Sequence, residues 1–457
     1  MQNHEITIIG GGPGGYVAAI KAAQLGKNVA LIEKESIGGV CLNWGCIPTK
    51  ALLNSAHVYK TFEHAKDFGF KLDMANVDID FKAIMKRKNK IVKKLTGGVK
   101  YLLKKNGVTV YDGFGEVEDA HTIKVNDETI KTDKLIIATG ASPAMPPIDG
   151  LKDAFDSGRV VASKQLLDIK EIPKTLTVIG GGVIGVEFAT IFNALGTEVT
   201  IIERLDDILI TVDQEIKDQF KKQLKKDGIK VITSANVDKI TKDSVSYTLD
   251  DKEETIEQDL ILLSVGMTPN LKGLEALDLE TDRTGIITNE YMQTNIDDVY
   301  AIGDVNGKFQ LAHVASKEGL VAVDHILGKD HKIDYRLVPS GIYTFPEIAQ
   351  VGITEAQAKE QDLDYKTSTF PLSANGKALA ENASVGMVKF IADKKYNEII
   401  GVHILAPHAT ELISEAVLGM SLEATAEAFA DAIHPHPTLS EMVHEVAHGI
   451  VDKPIHI

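Results

Sequence analysis

Apolar and polar positions at the start of the chain fall into a strand–helix–strand pattern. The β-branched run Ile6–Ile9 reads as a buried strand, broken by the glycine cluster that begins at Gly10. Apolar residues then recur at helical spacing as far as Leu25, and a second apolar run closes on Glu33. The same succession returns 170 residues later without a gap: Leu176–Ile179, a glycine cluster from Gly180, a helical stretch to Leu195 and a strand closed by Glu203. A second pair, TDKLIIATGASP (132–143) and QDLILLSVGMTPN (258–270), matches at an offset of 126 residues. Each predicts a buried strand that ends in a glycine, Gly140 or Gly266, and then a polar turn.

VYAIGDV (299–305) adds a further buried strand with Asp304 just beyond it, then a polar turn and a helix from near Ala312. The last third changes character. SGIYTFPEIAQVGIT (340–354) and MVKFIADKKYNEIIGVHIL (387–405) read as antiparallel strands, followed by helix from Ala409. The expected fold is α/β, with two nested Rossmann-like dinucleotide-binding domains and a C-terminal α+β domain. Expected boundaries are 1–143 for the first unit, completed by 270–336, then 144–269 for the second and 337–457 for the third.

Each glycine cluster fits G-x-G-x-x-G between a strand and a helix, a pattern with a specific physical use. The first glycine (Gly10, Gly180) permits a tight bend and the second (Gly12, Gly182) lets a pyrophosphate approach the backbone. The third (Gly15, Gly185) lets helix and strand pack closely. Free N–H groups and the positive end of the helix dipole then face the phosphates. Glu33 and Glu203, at matching places after the turn, are positioned to accept from a ribose hydroxyl. Asp304 suits a sugar-alcohol hydroxyl or a flavin side chain, although a strand-end Asp is common without any such role.

The chain has 457 residues, enough for about three domains. Its 49 Lys and Arg against 65 Asp and Glu give a net charge of −16. That balance argues against nucleic acid or an anionic membrane as the main partner. No apolar run approaches the roughly 20 residues of a membrane helix. The first strand begins within a few residues of Met1, with no charged-then-apolar leader, so a reducing, cytoplasmic setting is expected.

There are two cysteines, Cys41 and Cys46, in GGVCLNWGCIPTK (38–50). A structural bridge over so short a loop would add only about 2 kcal/mol, and a zinc site needs about four ligands. On a regular helix the two stand too far apart to bond. A bridge therefore requires a distorted turn, which Gly45 and Pro48 allow. A strained bridge is easily reduced, which favours redox use over a structural one. Lys50 follows at the head of a helical run, where a cation beside a flavin favours the reduced ring. Glu187, in the helix of the second unit, is placed to pair with it. Trp44, the only Trp, lies between the cysteines as a natural reporter.

The C-terminal AIHPHPTLSEMVHEVAHGIV allows two readings. His444-Glu445-Val446-Ala447-His448 fits the zinc motif H-E-x-x-H, but no third ligand follows in the extended pattern, so plain helix-face histidines and no metal are expected. Alternatively, with Pro437 starting a helix, Glu441 lies five residues beyond His436 and orients it as a general base for a thiol. A buried structural histidine is the competing reading. KRKNKIVKKLTGGVKYLLKK (86–105) is basic on a helical pattern: a solvated face, or a contact for an acidic partner.

The cysteine motif, the paired G-x-G-x-x-G units, VYAIGDV and HPHPTLSE, in this order, resemble the flavin-dependent pyridine nucleotide–disulfide oxidoreductases over essentially the whole chain. The resemblance implies FAD and NAD as cofactors and a homodimer built on the C-terminal domain. It implies that Cys41–Cys46 form a redox disulfide, Cys41 meeting the substrate and Cys46 facing the flavin in a charge-transfer pair. It further implies Lys50, paired with Glu187, at the flavin N5, and Glu33 and Asp304 as FAD contacts. Gly180, Gly182, Gly185 and Glu203 are then the nicotinamide dinucleotide site, and His436 oriented by Glu441 is the acid–base group from the other subunit. HPTLSE resembles the branch that oxidises dihydrolipoyl groups, free or in 2-oxo acid dehydrogenase complexes. Glu203 at the end of its strand favours NAD over NADP, since a carboxylate repels a 2′-phosphate. The remaining alternatives are a sibling reductase of another disulfide and a non-enzymatic redox sensor on the same scaffold.

Overall fold

A computed structural model describes residues 2–457; Met1 lies outside the described residues. The chain forms the expected α/β architecture with a C-terminal α+β domain. The first unit contains β1 (Gln2–Ile9), α1 (Pro13–Gln24), β2 (Val29–Glu33), α2 (Gly39–Trp44), α3 (Cys46–Glu63) and α4 (Phe81–Lys105). It continues through β3 (Thr109–Asp112), β4 (Gly115–Asp119), β5 (Thr122–Val125) and β6 (Glu128–Ile137). The sheet order is β3-β2-β1-β6-β5-β4, and strand Val299–Ala301 pairs parallel to β6 with Tyr300 opposite Ile136.

The central strands β1 and β2, the end of β6 and strand Val299–Ala301 are buried on both faces, which is why they read as continuous apolar runs. Ile8, Leu31 and Ile136 share the core beneath the helices, while Ala30, Ile32 and Ile137 share the core on the opposite face. The second unit repeats the frame. Strands Lys230–Ile232, Glu198–Ile202, Thr175–Ile179 and Leu260–Leu263 stand in the order that β3, β2, β1 and β6 have in the first. The two turns predicted to be equivalent also meet each other. Ala141–Pro143 and Met267–Pro269 form a two-stranded antiparallel ladder where the chain crosses between the units.

In the last third, five antiparallel strands run in the order Ser340–Ile342, Glu347–Gly352, Ile399–Ala406, Met387–Asp393, Tyr365–Pro371. Helices Ala409–Ser421 and Glu441–Val451 cover the sheet. A buried ion cluster ties this domain to the second unit: Lys389, 1 % exposed, reaches Asp213 at 3.1 Å and Glu355 at 2.6 Å. One expectation is corrected. Pro437 does not start a helix; the helix begins at Glu441. Pro435 and Pro437 each bias the preceding residue toward extended backbone, so the chain stays a loop until both are past.

Candidate active site

The two glycine turns have the geometry a phosphate cradle needs. Gly10 has φ +110°, and a Cβ there would lie 2.0 Å from the Ala138 carbonyl oxygen. A Cβ on Gly15 would lie 1.8 Å from the Gly10 carbonyl oxygen, so helix and turn touch directly. Gly180, φ +106°, and Gly185 repeat both contacts in the second unit. Gly12 and Gly182, by contrast, face open space: the nearest atom to a Cβ at Gly12 is 3.9 Å away, and none lies within 4 Å at Gly182. The hydrogen-bond donors of each helix start are thus left accessible beside an unfilled surface.

Glu33 closes the first turn from below. It accepts from the Gly11 N–H at 2.7 Å and from the Glu35 and Ser36 N–H groups at 2.7 and 3.2 Å. Glu203 repeats this with the N–H groups of Gly181 at 2.6 Å and Leu205 at 2.8 Å. Each carboxylate has about four acceptor positions, so both hold the loop and keep acceptor capacity for a ligand. Gly140 and Gly266 both have positive φ, and a Cβ on either would meet nothing within 4 Å. They sit in the crossover turns, where the Asn270 N–H donates to the Gly140 carbonyl and the Ala144 N–H to that of Gly266.

Between the two units stands the cysteine pair. The distortion expected there falls on Gly45, which separates α2 from α3 with φ −137° and ψ −114°. A Cβ on Gly45 would press to 3.1 Å from the Val40 carbonyl and 3.3 Å from Cys41 Cα. Pro48 sits in the first turn of α3, where its missing N–H costs nothing. Cys41 and Cys46, both half-buried, stand on either side of Gly45, close enough for their sulfurs to interact.

Their environments split the two thiols. Cys46 is lowered, first by the hydrogen bond from Cys41 and then by the Lys50 charge, against burial. Cys41 is raised by sharing that bond and by burial. The two shifts run in opposite directions, so thiolate character concentrates on Cys46. Lys50 is fixed from the second unit: its Nζ donates to both carboxylate oxygens of Glu187, at 2.8 and 2.7 Å. Glu187 is itself buried and also accepts the Tyr343 N–H at 3.0 Å. The Tyr343 ring lies 4.3 Å from the Lys50 ammonium. Tyr343 and Tyr16, the latter with its phenol raised by burial and by the two cysteine sulfurs, were not singled out by sequence.

Asp304 lies in the turn Gly303–Asn306, and its carboxyl is pushed up to about 6 by burial and by Glu318. Glu318, fully buried, organises that turn. It accepts from the Gly303 N–H at 2.6 Å, Asn306 Nδ2 at 3.0 Å and Tyr335 Oη at 2.6 Å. Sequence carried a signal for it: Glu318 is a lone charge on the apolar stripe of the helix that begins at Ala312.

On the C-terminal domain, His436 Nδ1 is 2.8 Å from Glu441 Oε1, and Glu441 Oε2 accepts the Thr438 N–H at 2.8 Å. Burial opposes the Glu441 charge, but these two bonds hold its pKa lowered. The His436 side chain is 79 % exposed, so its free ring nitrogen faces outward. Within one chain it does not reach the cysteines: the helix that follows its loop packs on strands 365–371 and 387–393, whereas α2 and α3 pack on α4 and helix 183–194. The H-E-x-x-H pattern is spent otherwise. Glu445 clamps the tail through the Ile455 and His456 N–H groups and His456 Nδ1, and the His444 and His448 rings meet edge to face at 4.5 Å. No group of three or more His, Cys, Asp or Glu side chains is arranged to hold a metal ion among the described residues.

Known proteins carry the same plan. Residues 4–319 match the family model described as pyridine nucleotide-disulphide oxidoreductase, and residues 338–447 match its dimerisation domain. The dihydrolipoyl dehydrogenase of Acholeplasma laidlawii is 56 % identical over 73 % of this chain and 99 % of its own. That of Bacillus subtilis (strain 168) is 43 % identical over 99 % of both chains. Among solved structures, the Cu(II) complex of the HOCl-induced flavoprotein disulfide reductase RclA from Escherichia coli superimposes with a TM-score of 0.87. It is 30 % identical and covers 98 % of this chain and 99 % of its own. A dithiol set between two glycine-turn units, and these matches along the whole chain, make it a member of the pyridine nucleotide-disulphide oxidoreductase family.

Proposed function

We propose that this chain oxidises dihydrolipoyl groups to the lipoyl disulfide and passes the electrons to NAD⁺. The observation that carries the reading is the Cys41–Cys46 pair, with the Cys46 thiol lowered by Cys41 and by Lys50, and Lys50 held by Glu187. Full-length relatives named dihydrolipoyl dehydrogenase supply the substrate. The residues present fit FAD in the first unit: an open cradle at Gly12, spare acceptors on Glu33, Gly140 at the crossover and Asp304 at the strand end. The second unit, with Gly180, Gly182, Gly185, Glu203 and Gly266, suits the nicotinamide dinucleotide. Bound FAD supplies the two-electron relay between the dithiol and the nicotinamide.

The chain's own residues do the thiol chemistry, beginning from the Cys41–Cys46 disulfide. His436, from a second copy of the chain, takes the proton of one substrate thiol. The resulting thiolate attacks Cys41 Sγ, the Cys41–Cys46 bond breaks, and Cys46 leaves as a thiolate stabilised by Lys50. The second substrate thiol then gives its proton to solvent and attacks its partner sulfur. The mixed disulfide breaks, oxidised lipoyl departs, and Cys41 takes the proton that His436 held. Glu441 fixes the imidazole for both transfers. The dimerisation domain supports a homodimer as the active unit. The test is Cys46→Ser. It is expected to keep its flavin and lose dihydrolipoamide turnover; retained turnover would overturn the scheme.

A further inference from the structure

Helix α4 is unlike the rest of the molecule. Across 25 residues it carries ten Lys and Arg and no Asp or Glu, in a chain whose acidic residues outnumber its basic ones 65 to 49. Two of the ten are used internally. Arg87 donates to the Ala51 carbonyl at 2.9 Å and to Asn54 at 3.2 Å, and Lys88 is buried against Leu167 and Asp168. The other eight, Lys82, Lys86, Lys90, Lys93, Lys94, Lys100, Lys104 and Lys105, are exposed. None of the eight forms an ion pair among the described residues.

At about 100° per residue these eight fall within an arc of roughly 140°, opposite the buried Phe81, Val99 and Leu103. They form one ridge roughly 33 Å long, the width of a small domain. Several stand four residues apart, where like charges repel. The ridge is several Debye lengths long at physiological salt, so its local potential is positive although the chain as a whole is negative. Tyr101, 64 % exposed, lies at its edge and offers an amphipathic anchor. Its place in the fold gives it a use. Val99 and Leu103 pack with Ile37 and Leu42 beneath α2, and Arg87 grips α3 one residue beyond Lys50. The helix that carries the ridge therefore packs, through its other face, on both helices that carry the thiols.

We infer that the α4 ridge docks an acidic protein domain that carries the dihydrolipoyl group, the macromolecular form of the substrate proposed above. Extended polyanions fit the ridge less well, since outside this helix the chain carries all 65 acidic residues and ten fewer Lys and Arg than its 49, so a surface that reaches beyond the ridge is repelled on balance. A compact acidic domain confines its charge to the ridge, and its lipoyl arm does the reaching. The inference rests on the dihydrolipoyl reading and adds the partner and its contact.

The experiment compares two substrates of the FAD-loaded enzyme: free dihydrolipoamide and a reduced, lipoylated carrier domain of net negative charge. In Lys86→Glu/Lys93→Glu/Lys100→Glu, KM for the domain is expected to rise by about tenfold or more, with kcat unchanged. Kinetics with free dihydrolipoamide stay within about twofold of wild type. The wild-type KM for the domain climbs with salt, and that of the variant does not. An unchanged KM for the domain, or equal effects on both substrates, would overturn the inference. So would ridge-dependent binding to phosphatidylserine vesicles or duplex DNA with domain kinetics unaffected. If wild type oxidises neither substrate, the dihydrolipoyl reading itself fails and the docking inference falls with it. Turnover of free dihydrolipoamide alone sinks only the docking inference. Flavin content and Tm check the fold, and Lys86→Gln/Lys93→Gln/Lys100→Gln repeats the comparison if charge reversal disturbs it.

Discussion

Removing the Lys50 charge and removing the Glu187 charge should move the Cys46 thiol in opposite directions. Lys50 follows Cys46 by four residues on α3, which sets the two side chains about 5–6 Å apart at Cβ. At an effective dielectric near 20, unit charges at ~6 Å interact by roughly 3 kcal/mol, or about two pKa units. Glu187, bonded to Lys50 through both oxygens, cancels part of that field, and its charge acts on Cys46 in the raising direction. Lys50→Met, which removes that attraction and leaves the Glu187 charge in place, should therefore raise the Cys46 titration of the reduced protein, and Glu187→Gln should lower it. Ultraviolet thiolate absorbance against pH reads both, with flavin content as a check on folding. If Lys50→Met leaves the titration unmoved, or if Glu187→Gln raises it, the electrostatic account of the dithiol is wrong.

Two further outcomes follow from the same geometry. His436→Gln should lose about 10²–10⁴-fold in dihydrolipoamide turnover while keeping its flavin, because it removes the proton acceptor and leaves both glycine turns intact; steady-state rates and the visible spectrum decide this. Asp304 has its folded pKa raised to about 6 from an ordinary 3.8, so its ionisation penalises the folded apoprotein. The penalty builds as pH rises from about 4 to about 6 and is full above that. Discounted for partial exposure, Asp304→Asn should stabilise the apoprotein by about 1–2 kcal/mol at pH 7–8 and by nothing near pH 4, read from Tm against pH. It should also weaken FAD retention.

Much of the site was legible because its residues follow short-range rules. The glycine turns, Glu33 and Glu203 repeat at one fixed offset, and backbone sterics leave those positions little choice. Lys50–Glu187 was inferred from each residue's place in its own helix, and the ion pair spans the two units as expected. What stayed hidden depends on tertiary packing. Tyr343 enters from the third domain, 156 residues from the Glu187 it bonds. The start of the last helix was misplaced at Pro437, because a proline fits both a helix start and a loop and only the loop geometry decides. His436 and the thiols lie apart within one chain, and on the proposed mechanism a second copy brings them together.

The most direct measurement is NADH formation by the purified yellow protein, given dihydrolipoamide and NAD⁺, with NADP⁺ in a parallel reaction. The account predicts fast turnover with NAD⁺ and little with NADP⁺, since in the proposed site the Glu203 carboxylate would repel a 2′-phosphate. Bound flavin and a dithiol that NADH reduces, without dihydrolipoamide turnover, would contradict it and point to another disulfide as the substrate.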